Sequence, residues 1–519
     1  MKVIIVGGVA GGATAAARIR RLDEHAEITV FERSGYISYA NCGLPYYIGD
    51  VITDPEELTL QTPESFFKRF RINMKIHHEV ISIHPECKTV SVKNLENGEI
   101  FEENYDKLIL SPGGGFIGLE LAENLMELGM DVTIVQRPKQ LMNPFDPDMA
   151  SMIHNEMRKH GIKLVLGYTV EGFKGKDNRV DVLLKDNPSL QADMVVLAIG
   201  VTPDTVLAKE AGLELGIKES IVVNDRMETS VPDIYAAGDA VQVKHYVTGN
   251  DALISLAGPA NKQGRIIADN ICGGDSRYLG SQGSSVIKVF DMTAATTGIN
   301  ETNAKKSGLE VDTVILSPMS HAGYYPGGKV MTMKVIFEKE SYRLLGAQII
   351  GYEGVDKRID VLATAIHAGL KATQLKDLDL AYAPPYSSAK DPVNMAGFMI
   401  DNIAKGTLKQ WHLEDMDKIS KDKDVVLLDV RTVGEFSRGH IDGFKNIPVD
   451  ELREQISEIE KGKPVYLICQ SGLRSYIASR ILEGNGYETY NFSGGFRFYD
   501  AVVNDRALIE RAYACGMDY

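Results

Sequence analysis

Short apolar runs rich in β-branched residues alternate along the chain with glycine turns and amphipathic stretches. The first run, Lys2–Val6, leads into a glycine-rich turn and then an alanine-rich stretch that ends at Arg21. A second apolar run, 28–31, follows. Such short runs predict buried strands, and their alternation with helical stretches predicts parallel α/β sheets. We therefore expect the chain to begin with the strand, turn, helix and strand of an α/β domain.

The first glycine turn has the features of a nucleotide site. Its glycines are Gly7, Gly8, Gly11 and Gly12, spaced Gly-Gly-x-x-Gly-Gly rather than GxGxxG. Such glycines let the backbone approach a pyrophosphate, and the helix that follows adds positive potential. Glu32 ends the second strand about 20 residues on, where a carboxylate binds a ribose diol, and Arg33 is a further candidate beside it. A glycine turn without a ligand is the alternative interpretation.

A second nucleotide signal begins with the apolar run Lys107–Leu110. Three glycines with true GxGxxG spacing follow it and open a predicted helix: Gly113, Gly115 and Gly118. The next apolar run ends at Gln136 and Arg137, where an acid is usual. A 2′-phosphate is therefore tolerated, and NADPH is favoured over NADH, although Arg137 in a solvated loop is an open alternative.

The junction between the two nucleotide signals is unusual. Lys107–Leu110 would have to close the first domain and open the second, and one strand cannot be central to two parallel sheets. Either the first domain lacks its last strand or the second lacks its first, and an incomplete sheet exposes apolar edges. Further on, the run 192–200 is expected to form a buried strand that ends the second nucleotide domain.

Cys42 is the first candidate for chemistry. With Asn41 as an N-cap and Pro45 in the first turn, it would lie at a helix N-terminus, where the dipole and free amides stabilise a thiolate nucleophile. A small buried hydrophobe is the alternative. Cys469 is the second candidate, since a strand ends there and the loop to Arg474 turns into a helix. Such a loop points amides inward as an anion nest.

Composition narrows the function. The chain has 519 residues and a formal charge of −15, which argues against nucleic acid or an anionic membrane as the main partner. Its five cysteines are widely spaced and predict neither a disulfide scaffold nor a metal site. The start shows no signal-peptide pattern, and no apolar run approaches the length of a membrane span. A reducing cytoplasm is the expected location.

Together these motifs resemble known families. The first glycine turn, with the strand that ends in Gly-Asp239 before a predicted helix, resembles the flavin half of the pyridine nucleotide-disulfide oxidoreductases. The stretch Ser-Tyr-Ala-Asn-Cys-Gly-Leu-Pro-Tyr-Tyr around Cys42 resembles the single-cysteine coenzyme A-disulfide reductases. Residues 412–500, with Asp-Val-Arg, Gly-His-Ile and the Cys469 loop, are similar to rhodanese domains. A phosphatase loop has a comparable shape, but the flanking motifs favour sulfur transfer.

The resemblance implies a domain order. We expect an FAD-binding domain (1–112 and 221–284), an NAD(P)-binding domain shortened at its start (113–220), an α+β dimerisation domain (285–405) and a C-terminal α/β rhodanese domain (412–519). The two nucleotide domains are Rossmann-like, so the fold class is α/β. Strands at 286–290, 311–316, 330–337 and 344–350 and a helix at 354–370 are expected in the dimerisation domain, which implies a homodimer.

The resemblance also implies residue roles. Asp239 would bind the flavin ribityl chain, and Tyr324 and Tyr382 would reach Cys42 of the other subunit and protonate a departing thiolate. Which tyrosine of each cluster donates the proton is left open, since Tyr325 follows Tyr324 and Tyr386 follows Tyr382. Arg474 would stabilise the anionic sulfur of Cys469, whereas Asp429 and Arg431 are interpreted as an internal ion pair. Coenzyme A phosphates need cations and hydrogen-bond donors. The candidates for binding it are Thr14, Arg18, Arg21, Ser38, Asn41, Arg69, Arg71, Asn261 and Lys390.

These features lead to one functional hypothesis and two alternatives. NAD(P)H would reduce FAD, and Cys42 would reduce coenzyme A disulfide, coenzyme A persulfide or polysulfide, while Cys469 carries sulfane sulfur. One alternative is an NADH oxidase or peroxidase that cycles Cys42 through a sulfenic acid. The other is a flavin-binding sulfur carrier that is catalytically impaired by the fused junction near Gly113.

Overall fold

The computed structural model describes residues 1–111, 118–176, 178–200 and 202–514. They form two compact units. The first unit combines Met1–Met130 with Val196–Gly283, and the second combines Asp131–Val195 with Ser284–Tyr519. The first boundary thus falls inside the stretch predicted to be the second nucleotide domain.

The first unit is built on a parallel sheet of five strands. In spatial order the strands are Ile234–Ala236, Lys107–Leu110, Lys2–Val6, Glu27–Phe31 and Asn73–Lys75. The β-branched and aliphatic side chains of these strands are almost fully buried and form the centre of the unit's core. The helices are Ala10–Leu22, Leu44–Ile48, Pro63–Phe70, Gly118–Glu127, Val206–Glu210 and Ala257–Ile271.

Two smaller sheets complete the first unit. One is antiparallel, with strands His78–His84, Thr89–Asn94 and Ile100–Asn104. The other contains Ile221–Val222, Val241–Lys244 and Asp251–Ala252. Single-turn 3-10 helices occur at Asn41–Gly43, Pro55–Leu58 and Ile217–Glu219.

The strand Lys107–Leu110 decides between the two possibilities at the junction. It pairs with Lys2–Val6 on one side and with Ile234–Ala236 on the other, so both of its hydrogen-bonding edges are occupied. The first domain therefore keeps the strand. Among the described residues of the second nucleotide stretch, the parallel sheet has only two strands, Thr133–Gln136 and Lys163–Leu166.

The predicted buried strand at 192–200 is wrong. Residues 194–200 have no regular structure, and Ile199 is 91% exposed while Leu197 is 63% exposed. The physical reason is the missing first strand: a parallel strand needs a hydrogen-bonded neighbour, and Lys107–Leu110 has no free edge. The apolar side chains of this segment are therefore exposed instead of buried.

The second unit contains three groups of elements. The two-stranded sheet is accompanied by helix Pro147–Lys159 and by an antiparallel meander of Val170–Lys176, Arg179–Leu184 and Leu190–Ala192. Next comes an antiparallel sheet in the order Ser285–Val289, Met292–Gly298, Leu344–Gly351, Thr332–Glu338 and Val311–Leu316. Its helices are Glu301–Lys306, Val355–His367 and Pro392–Ala404, with the 3-10 helix Ala372–Asp377. The elements expected there are confirmed, and Met292–Gly298 was not predicted.

The last group is a parallel sheet flanked by helices. Its strands run in the order Gln410–Trp411, Thr489–Phe492, Val465–Ile468, Val426–Asp429 and Lys445–Asn446. Its helices are Met416–Ile419, Val433–Ser437, Leu473–Glu483 and Gly495–Ala514, and 3-10 turns occur at Leu413–Asp415 and Ile456–Glu458. In the part of the chain that the structure describes, none of the helices has the length and apolar character that crossing a membrane requires.

A buried lysine in the second unit is surrounded by three carboxylates. The Lys334 ammonium lies 2.8 Å from Asp148, 2.7 Å from Glu301 and 3.2 Å from Asp146, and all four side chains are largely buried. Burial alone would lower the pKa of Lys334, but these carboxylates raise it above its ordinary value. The lysine therefore stays charged and compensates the buried acids.

Candidate functional site

The first glycine turn has the geometry of a dinucleotide site. Gly7 has a φ of +100°, which favours glycine, and a Cβ on Gly12 would lie 2.0 Å from the Gly7 carbonyl oxygen. The Glu32 carboxylate accepts hydrogen bonds from the Gly8 and Ser34 amides, each at 2.9 Å. Only glycine fits this tight turn. The turn lies beside the Glu32 carboxylate, and a bound ribose requires such an acid.

Two other predicted cofactor residues lie in the same unit. Asp239 is half-buried in the turn after Ile234–Ala236. This turn leads into the strand Val241–Lys244, so the helix predicted directly after Asp239 is wrong; the chain pairs there with Ile221–Val222 instead. Arg33 is exposed and lies 3.3 Å from the Asp204 carboxylate.

Cys42 lies at the start of a short helix, as predicted. It is exposed in the 3-10 turn Asn41–Gly43, which runs directly into the helix Leu44–Ile48, with Pro45 in its first turn. The N-cap role predicted for Asn41 is wrong, because Ala40 and Gly43 occupy the two N-cap positions. The additional 3-10 turn moves Asn41 into the helical segment.

A backbone hydrogen bond connects the loop before Cys42 to the glycine turn. The Ser38 amide donates to the Gly8 carbonyl at 2.9 Å, and Ser38 itself has a φ of +47°.

One turn after Cys42, the Tyr46 hydroxyl donates to Glu120 at 3.2 Å. Burial, and then the neighbouring Glu120 carboxylate, raise the pKa of Tyr46 to about 12. Tyr46 therefore stays protonated at neutral pH.

A basic cleft brings together four residues predicted to bind coenzyme A. Thr14, Arg18 and Arg21 line it from the helix Ala10–Leu22, and Asn261 lines it from Ala257–Ile271. The cleft has a volume of about 270 Å³. The Thr14 hydroxyl donates to the Asn261 side-chain oxygen at 2.5 Å, and this hydrogen bond joins the two helices.

Two further cations in the cleft were not predicted, Lys262 and Arg265. Arg265 lies one helical turn after Asn261, so helical spacing from that residue was the available signal. The two helices approach closely because a Cβ on Gly264 would lie 2.3 Å from the Gly11 carbonyl oxygen. Arg18 also forms an ion pair with Asp269 at 2.8 Å, which partly neutralises its charge.

The remaining predicted substrate residues lie outside the set that lines the cleft. Arg69 is exposed near the end of the helix Pro63–Phe70. Arg71 follows this helix with a φ of +50°, and its guanidinium lies 5.2 Å from the Phe67 ring centroid. Lys390 is exposed in the second unit, where its carbonyl accepts a hydrogen bond from Ser388.

The predicted nicotinamide residues are distributed over both units of the chain. Gly113 and Gly115 lie outside the described residues. Gly118 begins the helix Gly118–Glu127, as predicted, and this helix belongs to the first unit. Arg137 belongs to the second unit, where it is exposed just after the strand Thr133–Gln136.

The two predicted tyrosines meet in the second unit. The hydroxyl oxygens of Tyr324 and Tyr382 lie 2.6 Å apart, and both side chains are exposed, at 75% and 44%. The hydrogen bond to Tyr324 raises the pKa of Tyr382. The pair therefore presents an exposed phenol that stays protonated at neutral pH.

The loop that starts at Cys469 holds a buried sulfur. Cys469 is 1% exposed, and the Gly472 amide donates to its Sγ at 3.1 Å. Gly472 has a φ of +98° and is the N-cap of the helix Leu473–Glu483. The Ser475 hydroxyl, which was not predicted, lies 3.2 Å from the same sulfur. The sulfur thus has two hydrogen-bond donors.

Charged side chains surround this loop. The Arg474 guanidinium donates to both oxygens of Glu435, each at 2.7 Å, a partner that was not predicted. The hydrogen bond from Arg474 is the main reason why the pKa of Glu435 falls to about 2. Asp429 and Arg431 form the predicted internal ion pair, at 2.7 Å and almost fully buried.

Models of known protein families match most of this chain. The family described as pyridine nucleotide-disulphide oxidoreductase matches in two pieces, residues 1–114 and 112–264, which meet at the fused junction. The dimerisation domain of that family matches residues 284–392, and a rhodanese-like domain matches 412–501. The chain belongs to the pyridine nucleotide-disulphide oxidoreductase family. The predicted fold class is confirmed.

Relatives in the pyridine nucleotide-disulphide oxidoreductase family match most of the chain. Coenzyme A disulfide reductase from Staphylococcus aureus strain JH9 is 35% identical, covering 76% of this chain and 99% of the relative. The crystal structure of reduced Bacillus anthracis CoADR-RHD has a TM-score of 0.94 at 44% identity, covering 97% of this chain and 98% of that one. The NAD-dependent persulfide reductase from A. fulgidus has a TM-score of 0.89 at 36% identity, covering 96% and 100%. Family membership implies FAD and NAD(P)H as cofactors.

Proposed function

We propose that this chain is a FAD-dependent NAD(P)H oxidoreductase that reduces coenzyme A disulfide, coenzyme A persulfide or polysulfide through Cys42. In this proposal the C-terminal rhodanese-like domain transfers sulfane sulfur. The observation that carries it is the first unit's combination of an exposed helix-start cysteine, a dinucleotide turn and a basic cleft. The names of the relatives support the same substrate class.

The residues of the first unit fit a flavin dinucleotide. The glycines of the tight turn let its backbone approach a pyrophosphate, and the Glu32 carboxylate lies beside the turn, where a ribose would bind. Bound FAD supplies two-electron transfer between a reduced nicotinamide and a disulfide. The residues proposed to hold it are Gly7, Gly8, Gly11, Gly12, Glu32, Arg33 and Asp239.

The basic cleft is proposed to hold the phosphates of coenzyme A. Cationic groups in the cleft include those of Arg21, Lys262 and Arg265. Hydrogen bonds can come from Thr14 and Asn261. Charge-assisted bonds of this kind are the usual means of holding phosphate. A polysulfide has no phosphate groups for these cations to bind, so the cleft favours a coenzyme A substrate.

Cys42 is proposed to act as a one-thiol redox centre. Its thiolate attacks one sulfur of the substrate disulfide, forms a mixed disulfide, and releases the other sulfur as a thiolate. No second cysteine lies near it in the sequence, so coenzyme A is the second thiol. The Tyr324 and Tyr382 pair, brought by the second subunit of a homodimer, would protonate the departing thiolate.

Gly113, Gly115, Gly118 and Arg137 are the residues proposed to bind the nicotinamide nucleotide. Gly118 begins the helix Gly118–Glu127 and Arg137 follows the strand Thr133–Gln136, and we assign no hydride-transfer role to either residue. The decisive measurement is anaerobic titration of the purified flavoprotein with NADPH and then NADH. Bleaching of the flavin absorption band is expected; its absence with both nucleotides would favour a flavin-binding sulfur carrier.

Replacement of Cys42 tests the redox centre. Cys42→Ser should abolish reduction of coenzyme A disulfide and polysulfide while the bound-flavin spectrum is kept. Cys87→Ser, another exposed cysteine of the same unit, is the matched control and should keep full activity. Full turnover of Cys42→Ser would overturn the proposal. Stoichiometric oxygen or peroxide consumption without a response to coenzyme A disulfide would favour the oxidase alternative.

A further inference from the structure

A serine hydroxyl reaches the sulfur of the C-terminal cysteine loop. Ser475 Oγ lies 3.2 Å from Cys469 Sγ, and Ser475 is fully buried. The Gly472 amide approaches the same sulfur at 3.1 Å. Ser475 is therefore the side chain in direct hydrogen-bond contact with the reacting atom of the loop.

The fold fixes this hydroxyl in the first turn of the helix Leu473–Glu483. Ser475 Oγ lies 3.1 Å from the Gly472 carbonyl oxygen, so its single proton has two acceptors, that carbonyl and the sulfur. The carbonyl also accepts from the Asn491 amide group at 3.2 Å and from the Tyr476 backbone amide at 3.1 Å. Because a charged acceptor binds a proton donor more strongly than a neutral one, a thiolate at Cys469 draws the hydroxyl towards itself.

The loop cation has a different partner. Both terminal nitrogens of Arg474 bind Glu435, which leaves this guanidinium to act on the sulfur through its electric field rather than by contact. The Ser475 hydroxyl thus acts on the sulfur by a hydrogen bond, whereas the Arg474 guanidinium acts by its charge.

We propose that Ser475 is a catalytic residue for sulfur transfer, where its hydroxyl stabilises the negative charge that develops on Cys469 Sγ. This inference rests on the proposed function of the C-terminal domain. When Cys469 carries a persulfide, the thiolate of a small acceptor thiol attacks the outer sulfur. A new sulfur–sulfur bond forms to the acceptor, the bond to Sγ breaks, and its electron pair returns to Sγ as a thiolate. Ser475 donates its hydrogen bond to this leaving group.

Alkylation of the full-length protein tests the contact without depending on sulfur transfer. Iodoacetamide modification of Cys469 is followed by mass spectrometry of its peptide, with the Cys42 peptide as an internal reference. Ser475→Ala should react about tenfold more slowly at neutral pH, the effect of losing one hydrogen bond to a charged group, and as fast as wild type at strongly alkaline pH. Ser475→Thr keeps a hydroxyl and should retain most of the neutral rate.

The matched control is Ser479→Ala. Ser479 is a buried serine one turn later on the same helix, and its hydroxyl donates to the Tyr476 carbonyl instead of the sulfur. Equal alkylation of Ser475→Ala and wild type, or an equal loss in Ser479→Ala, would overturn the inference. In a second assay, transfer of sulfur from persulfidated Cys469 to a small thiol should fall about tenfold in Ser475→Ala. If wild type transfers no sulfur while the alkylation difference persists, the proposed function fails and the contact stands.

Discussion

The hydroxyl oxygens of Tyr324 and Tyr382 lie 2.6 Å apart although 58 positions separate the two residues in the chain. Tyr324 precedes the strand Thr332–Glu338, and Tyr382 follows the 3-10 helix Ala372–Asp377. The hydrogen bond between them raises the pKa of Tyr382, which keeps its phenol protonated and able to donate.

Removal of either hydroxyl should slow disulfide reduction. We expect Tyr324→Phe and Tyr382→Phe each to lower kcat by about a hundredfold, the lower end for a general acid. In Tyr324→Phe the pKa of Tyr382 should fall, because its hydrogen bond is lost, so the alkaline limb of the kcat profile should move to lower pH. Tyr386→Phe, another exposed tyrosine, is the control. Unchanged kcat in both test variants would remove the pair from the mechanism.

The basic cleft should control substrate binding rather than turnover. Arg21→Gln and Arg265→Gln should each raise KM for coenzyme A disulfide about tenfold or more with kcat nearly unchanged, because each removes a charge-assisted bond to phosphate. Lys244→Gln, an exposed lysine paired with Asp251, is the control in steady-state kinetics. If KM for polysulfide rose equally, a phosphate-specific role would be contradicted.

The ion pair between Arg474 and Glu435 should make the C-terminal domain sensitive to acid. The pKa of Glu435 is lowered from 4.5 to about 2, so the pair stabilises the fold above pH 4.5 and loses this contribution as pH falls towards 2. Glu435→Gln should therefore cost about 2 kcal/mol of unfolding free energy at neutral pH, and the difference from wild type should shrink in acid. Chemical denaturation across this pH range measures it.

A surface ion pair of the same domain provides the comparison. Glu488 lies 2.7 Å from Lys409, and both side chains are about half exposed. Glu488→Gln should cost less than about 1 kcal/mol at neutral pH. Equal losses in the two variants would show that the Arg474 pair is no stronger than an ordinary surface contact.

The exposed apolar segment 194–200 should tolerate charge. Because Ile199 is 91% exposed, Ile199→Lys should change the free energy of unfolding by no more than about 0.5 kcal/mol. Ile109→Ala, in the centre of the first sheet and fully buried, should cost about 2 to 5 kcal/mol. Denaturation midpoints of the two variants give the test. A large loss in Ile199→Lys would mean that residues 194–200 form the buried strand that the sequence predicts.

Local sequence determined the individual elements and the chemistry of the main motifs. Glycine spacing predicted the turn around Gly7 because only glycine tolerates its φ and close contacts. Arg18 and Arg21 were both named as candidates for binding coenzyme A, and the structure places both in one cleft. The roles of the two tyrosines were predicted from a resemblance to known families, whereas the positions of Cys42 and of the Cys469 loop were predicted from the local sequence.

Tertiary structure decided which partners these residues have. Whether Lys107–Leu110 belongs to the first or the second sheet depends on which neighbours occupy its edges, and no local pattern carries that information. The same is true of Arg474, whose partner Glu435 is 39 positions away, and of Lys262 and Arg265, which reach the cleft only because two distant helices meet at Gly11 and Gly264. The sequence by itself set the strands, turns and reactive groups, because these depend on short-range sterics and periodicity. Long-range packing alone selected their hydrogen-bond and charge partners.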